Sequence, residues 1–240
     1  WRSLWDATLG LASTLAPVLF GAALGNLIRG VPLRGDGMFS LSLFESFSPS
    51  GVLGILDWYT VLAGVLALAA ILHHGALFLA WKTDATVRER SLRTAGRLFW
   101  VVVVLWVLAT VATSSIAPGL YPALAARPLG WILTLLAVAG LVVSALGRRA
   151  GHDLLAFLGS CAYLLGVLAA TATSVYPTMI RSIDPQIPSL TALNASASEA
   201  SLRVGLYWWP FGFVLAIVYF YILFRVHGGK AQAAAEGEGY

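Results

Sequence analysis

Phe99-Trp100-Val101-Val102-Val103-Val104-Leu105-Trp106 places eight apolar residues in a row, with no polar position to alternate against. A half-buried strand needs an apolar–polar period of two, and a strand of a membrane barrel needs that alternation over ~10 residues, so this run is neither. Extended from Leu98 to Ala117, it reaches the ~20 residues with which a helix of ~1.5 Å rise crosses a bilayer. A helix also bonds its own backbone N–H and C=O groups, which lipid cannot do. Comparable runs lie on both sides, at Trp5–Ile28, Val52–Trp81, Leu129–Leu146, Leu154–Val175 and Leu202–Val226. The expected fold is an all-α polytopic membrane protein, a bundle of about six transmembrane helices.

Composition agrees with that reading. The 240 residues are 59% hydrophobic and 11% charged, with a mean hydropathy of +0.82, whereas soluble domains carry ~25% charged residues. A water-soluble enzyme is excluded. The net charge of +4 comes from Lys and Arg spread between apolar runs, where they serve as topology signals, so no nucleic-acid partner is expected. The lone Cys161 rules out an internal disulfide, a C-x-x-C pair and a multi-thiolate metal site, and reads as a small apolar helix residue.

Charge counting sets the expected orientation. Arg2, Lys82, Arg88, Arg90, Arg93, Arg97, Arg148, Arg149, Arg225 and Lys230 make ten on one side, against five on the other: Arg29, Arg34, Arg127, Arg181 and Arg203. The richer side should be cytoplasmic, which puts both termini there. Two long connections on the opposite side, about 30–51 and 176–201, are rich in Pro, Gly, Ser and Asp and read as structured extracytoplasmic loops. Residues 1–230 form the transmembrane region, and the Ala/Gly/Glu-rich stretch 231–240 reads as a flexible cytoplasmic tail. The start at Trp1, without a signal-peptide pattern, reads as that of a fragment or a processed product.

Few side chains offer chemistry. Ionisable groups inside a span are costly, so each one is a functional candidate. His73 and His74 lie in the second span, where a neutral imidazole could bind a quinone carbonyl, relay protons or pack against a neighbouring carbonyl. Adjacent positions on a helix point ~100° apart, so the two cannot ligate one iron together, and no other span carries a histidine. Asp6 and Asp57 stand at the mouths of the first and second spans, where a carboxylate at a helix N-terminus is stabilised by the helix dipole. Asn26 reads as a cap for the end of the first span, and His152 and Asp153 as a solvated turn.

Ser13, Pro17, Gly21 and Gly25 lay a smooth stripe on the first span, with Gly166, Ala170 and Ser174 doing the same on the fifth; another helix should pack closely on the first stripe. Trp58, Tyr59, Trp81, Tyr121, Trp131, Tyr176 and Tyr207-Trp208-Trp209 match interfacial aromatic belts. Asn194-Ala195-Ser196 fits a glycosylation pattern, and Gly159-Ser160-Cys161 resembles an intramembrane protease serine only loosely. A six-span transporter, with a site beside a broken helix such as that at Pro17, is the main alternative, and some other membrane scaffold is a further one.

Several segments together carry a resemblance: Trp1-Arg2-Ser3-Leu4-Trp5-Asp6, Gly25-Asn26-Leu27-Ile28-Arg29-Gly30-Val31-Pro32, His74-Gly75-Ala76-Leu77-Phe78-Leu79 with Lys82-Thr83, and Tyr176-Pro177 followed by Ser189–Ser196 and a span ending in Phe224-Arg225. In this order they resemble subunit II of the cytochrome bd quinol oxidases, over essentially the whole chain. The family's additional N-terminal spans and its His-Trp-Asp-Gly-Asn segment have no counterpart here, so no proton-path residue is carried over. The resemblance implies a non-catalytic, haem-free subunit of a quinol:oxygen oxidoreductase in a bacterial or archaeal cell (inner) membrane. It also implies a partner subunit I that bears haem b and haem d, small accessory subunits, and a quinone held beside the bilayer. No catalytic or metal-ligating residue is expected in this chain. The residues expected to touch quinone, protons or the partner are His74, Trp5, Asp6, Asn26 and Asp57.

Overall fold

The computed structural model describes residues 1–231, so residues 232–240 of the expected tail lie outside the described residues. The apolar runs form helices: α1 Arg2–Arg29, α2 Trp58–Lys82, α3 Ala85–Ile116, a short α4 Leu120–Ala125, α5 Pro128–Arg149, α6 Asp153–Val175 and α7 Glu199–Val226. Six of these are long and apolar enough to cross a membrane. One end of the bundle carries Lys82 and the start of α3, and is called the basic end below. The other, the loop end, carries the connections 30–57 and 176–198.

Two boundaries differ by more than one turn from the sequence reading, for physical reasons. The second helix begins at Trp58 rather than Val52, because Asp57 closes a capping box: its Oδ1 accepts from the Tyr59 and Thr60 N–H groups, at 3.0 and 2.9 Å, while Thr60 Oγ1 accepts from the Asp57 N–H at 2.8 Å. The third begins at Ala85, well before Leu98, since the charged stretch Arg88–Arg97 continues the helix beyond its apolar part.

Helix seams are built on small residues. Gly21 and Gly25 of α1 lie on Gly64, Ala63 and Thr60 of the antiparallel α2, while Ser13 is exposed and Pro17 half-buried. The α5–α6 seam is closer still, with Gly140 against Tyr163 and Gly159, Gly147 against Ala156, and Gly166 against Ala137. A Cβ built on Gly159 would stand 2.5 Å from the Ser144 backbone nitrogen, a distance no side chain tolerates. Ala69, Ala70, Val102, Ala137, Leu141 and Tyr163 fill the core between α2, α3, α5 and α6.

At the loop end the two long connections interlock. The Val31 N–H donates to Arg181 O at 2.9 Å and the Ile183 N–H to Val31 O at 3.1 Å, beside a two-stranded antiparallel sheet of β1 Thr178–Ile180 and β2 Leu190–Thr191. Asn194 closes the adjoining turn, accepting from the Thr191 N–H at 2.7 Å and donating to Ser189 O at 3.1 Å. Two expected belt residues belong elsewhere: Tyr59 is buried, its hydroxyl 2.8 Å from that of Thr113, and Trp81 stacks between Phe157 and Phe224.

Candidate functional site

Polar side chains gather in two places. The first is at the loop end, where α1 finishes against the start of α2. Arg29 and Asp57 form an ion pair with both side chains at most 4% exposed. Arg29 also donates to the Asn26 side-chain Oδ1 and to Gly54 O, the latter at 3.1 Å, while Asn26 Nδ2 donates to Ala22 O at 2.9 Å and Ile55 O at 2.8 Å. Asn26 thus caps a carbonyl of its own helix and ties down the loop as well. The two charges face each other, and Asp57 Oδ1 takes the Tyr59 and Thr60 N–H groups and the Thr60 hydroxyl, the kind of added hydrogen bonding under which a buried pair is tolerated. The arrangement is a closed brace between α1, α2 and the loop 52–57.

The second gathering is nearer the basic end, where α2 meets α3, α5 and α6. His73 is buried, its Nδ1 3.0 Å from Ala95 O and its Nε2 3.4 Å from the Ser144 hydroxyl. Ser144 donates to Leu141 O at 2.7 Å, so the His73 Nε2 faces an oxygen whose proton is already used. His74 points to α6, with Nδ1 2.8 Å from Ser160 Oγ. Ser160 likewise gives its proton to Phe157 O, at 2.7 Å. With the Ser160 proton on Phe157 O, the His74–Ser160 bond is made by Nδ1–H; in either tautomer the Nε2 has no partner among the described residues. The Phe157 ring lies 4.9 Å from the His74 ring, and Phe78 and Trp81 extend the aromatic wall.

The histidine of α2 does meet the serine of α6, but Ser160 is buried and its hydroxyl also lies 2.7 Å from its own helix's Phe157 O, an arrangement that ties the two helices together. Asp153 departs from expectation: rather than solvated, it is bound by Arg88 through Nε and Nη2 at 2.6 and 3.0 Å, a bidentate pair joining α3 to α6.

Of the five residues expected at the site, Asn26 and Asp57 come together, but through Arg29, which the sequence reading counted only as a loop charge. His74 lies at the opposite end of α2. Trp5 and Asp6 stand apart from both, exposed on the first turns of α1. Ser144 went unnoticed because a serine in an apolar helix leaves no periodic signal; Arg29 could have been found from its i, i+3 spacing to Asn26.

The family model for cytochrome bd terminal oxidase subunit II matches residues 1–227. The chain is 28% identical to a probable cytochrome oxidase subunit 2 of Haemophilus influenzae, over 91% of this chain and 63% of that one. It is 24% identical to the cytochrome bd-I ubiquinol oxidase subunit 2 of Escherichia coli, over 85% of this chain and 59% of that one. The identity to the cytochrome bd ubiquinol oxidase subunit 2 of Bacillus subtilis is also 24%, over 85% and 57% respectively. The chain spans about three fifths of the length of the curated relatives it matches. It belongs to the cytochrome bd terminal oxidase subunit II family and is a multi-pass protein of the cell membrane.

Proposed function

From membership of this family we propose that the chain is the haem-free subunit of a terminal oxidase complex that oxidises quinol and reduces dioxygen to water. Its part is to hold the haem-bearing subunit I and to shape the lipid-facing surface beside it, with the chemistry done in the partner. Haem b and haem d, bound there, supply the electron transfer and the oxygen reduction. The observation that carries this reading is the use of the histidines. Both His73 nitrogens face protein oxygens and His74 Nδ1 is spent on Ser160, so the residues present do not fit a pair of axial imidazoles.

The basic end is cytoplasmic in this reading, with both termini on that side, because the ten-to-five excess of Lys and Arg lies there. Residues 1–230 act as one membrane region, equivalent to the C-terminal two-thirds of the longer relatives, followed by a cytoplasmic tail. His74 is the residue for a quinone or proton contact: its open Nε2 can accept from a quinol hydroxyl, and the Phe78, Trp81 and Phe157 rings offer an apolar wall. Trp5 and Asp6 belong to a surface for the partner subunit or for a small accessory subunit. Asn26 and Asp57 brace the fold.

The test is to purify the assembly from cells that lack this chain. Haem content and quinol oxidase activity should both fall, and normal values of both would overturn the reading. Within the complete assembly, His74→Ala should lower activity while the subunits stay together. Loss of assembly would instead make His74 a packing residue.

A further inference from the structure

At the basic end, α3 carries Arg90, Arg93 and Arg97, all exposed, at i, i+3 and i+7. That spacing sets them on one face of the helix. The same face continues into the apolar part of α3 as Trp100, Val101, Val104, Leu108 and Val111, each at least 44% exposed. The arginine row therefore stands directly above the stripe of α3 that is open to lipid. A fourth arginine comes from α5: the Arg148 guanidinium lies in the notch at Gly96, with Nη1 3.0 Å from where a Cβ would stand. Gly96 sits between Arg93 and Arg97 on the turn, so Arg148 joins the row from the side.

These four cations have no carboxylate partner among the described residues, where the ion pairs are Arg29–Asp57, Arg88–Asp153, Arg203–Glu199 and Lys230–Asp84. Arg148 Nε is buried without a hydrogen-bond partner. Arg88, on the same stretch of α3, behaves differently and is bound through Nε and Nη2 by Asp153. Topology alone asks for positive charge at this end of the bundle, wherever it falls. It does not ask for three arginines in register over a lipid-facing stripe, or for a fourth inserted from a neighbouring helix with a spare donor.

The geometry points to a binding site for the phosphate headgroup of an anionic phospholipid, formed by Arg90, Arg93, Arg97 and Arg148, with the acyl chains lying along Trp100, Val104 and Val111. A phosphodiester at bilayer depth offers the acceptors that guanidinium forks match, and its charge relieves the crowding of four cations. The occupant is a lipid rather than a soluble phosphate because the site opens along an apolar stripe and not into a pocket. This site is independent of the oxidase reading and of His74.

The test uses the assembly purified from its native membrane, stripped of lipid in mild detergent and titrated with phosphatidylglycerol or with phosphatidylcholine of the same chains. Bound lipid is counted by native mass spectrometry. Phosphatidylglycerol should bind in preference, and Arg97→Gln and Arg148→Gln should each weaken it about fivefold, the effect of one surface cation on an anionic lipid. Arg2→Gln removes an equal charge from the same end and should leave the binding within about twofold. Equal binding of the two lipids would overturn the proposal, as would equal losses from Arg2→Gln and Arg97→Gln, which would mean a diffuse charge effect. Displacement of phosphatidylglycerol by millimolar inorganic phosphate would assign the site to a soluble anion and overturn the lipid. Arg93→Lys guards against misfolding: it keeps the charge and should retain most of the binding.

Discussion

The α5–α6 seam and α7 are built from the same apolar vocabulary and behave in opposite ways. In the seam, Gly140 and Gly147 of α5 and Gly159 and Gly166 of α6 each lie against the backbone of the facing helix, and each would drive a Cβ into it. In α7, Gly205 and Gly212 meet nothing within 4 Å, and none of its residues is buried. Among the described residues, α7 is fastened through its last turn and the segment after it: Phe224 stacks on Trp81, Lys82 reaches the His227 and Gly229 carbonyls at 3.3 and 3.4 Å, and Lys230 pairs with Asp84. The first half of α1 is equally bare, exposed from Trp1 to Ala16. Hydrophobicity alone thus does not tell a packed membrane helix from an open one, because lipid is as apolar as another helix; the register of small residues does.

The largest effect should come from the packed region's polar brace. Asp57→Asn removes the counter-charge of buried Arg29 and should cost about 3–5 kcal/mol, read as a fall in thermal unfolding temperature in detergent. A loss below about 1 kcal/mol would mean that water reaches Arg29 and that the loop end is not closed. Next, Gly159→Ala should destabilise by about 1–3 kcal/mol through overpacking, whereas Gly212→Ala in α7 should be neutral or up to about 1 kcal/mol stabilising by helix propensity. Equal effects at the two sites would dissolve the contrast between seam and bare helix. Smaller again, Ser144→Ala removes a buried hydroxyl that bonds Leu141 O of its own helix and should cost about 1 kcal/mol, seen in the same unfolding assay. The smallest change is expected from Trp209→Ser, 73% exposed in α7: the chain's own stability should stay within about 0.5 kcal/mol, while co-purification with partner subunits weakens.

Much of this was readable beforehand. The six spans follow from run length and the lack of alternation, and Asp57 was legible as a carboxylate favoured near the start of the second helix, though not as the cap that sets its first residue. The α1 stripe at Gly21 and Gly25 was legible as a packing face. The ends of α2 and α3 were not, because hydropathy is blind to a charged helical extension such as Arg88–Arg97 and cannot place a capping box. The Arg29–Asp57 and Arg88–Asp153 pairs join residues far apart in the chain, which no local pattern encodes. For the same reason the meeting of His74 with Ser160 needed the fold, although both residues had been singled out separately.

The open faces of α1 and α7 are where the account places the rest of the complex, so the most direct test is capture of this chain from its native membrane in mild detergent, followed by a reduced-minus-oxidised visible spectrum of the eluate. The account predicts haem b and haem d bands that co-elute with the chain. A colourless eluate from solubilised membranes that do show those bands would contradict it.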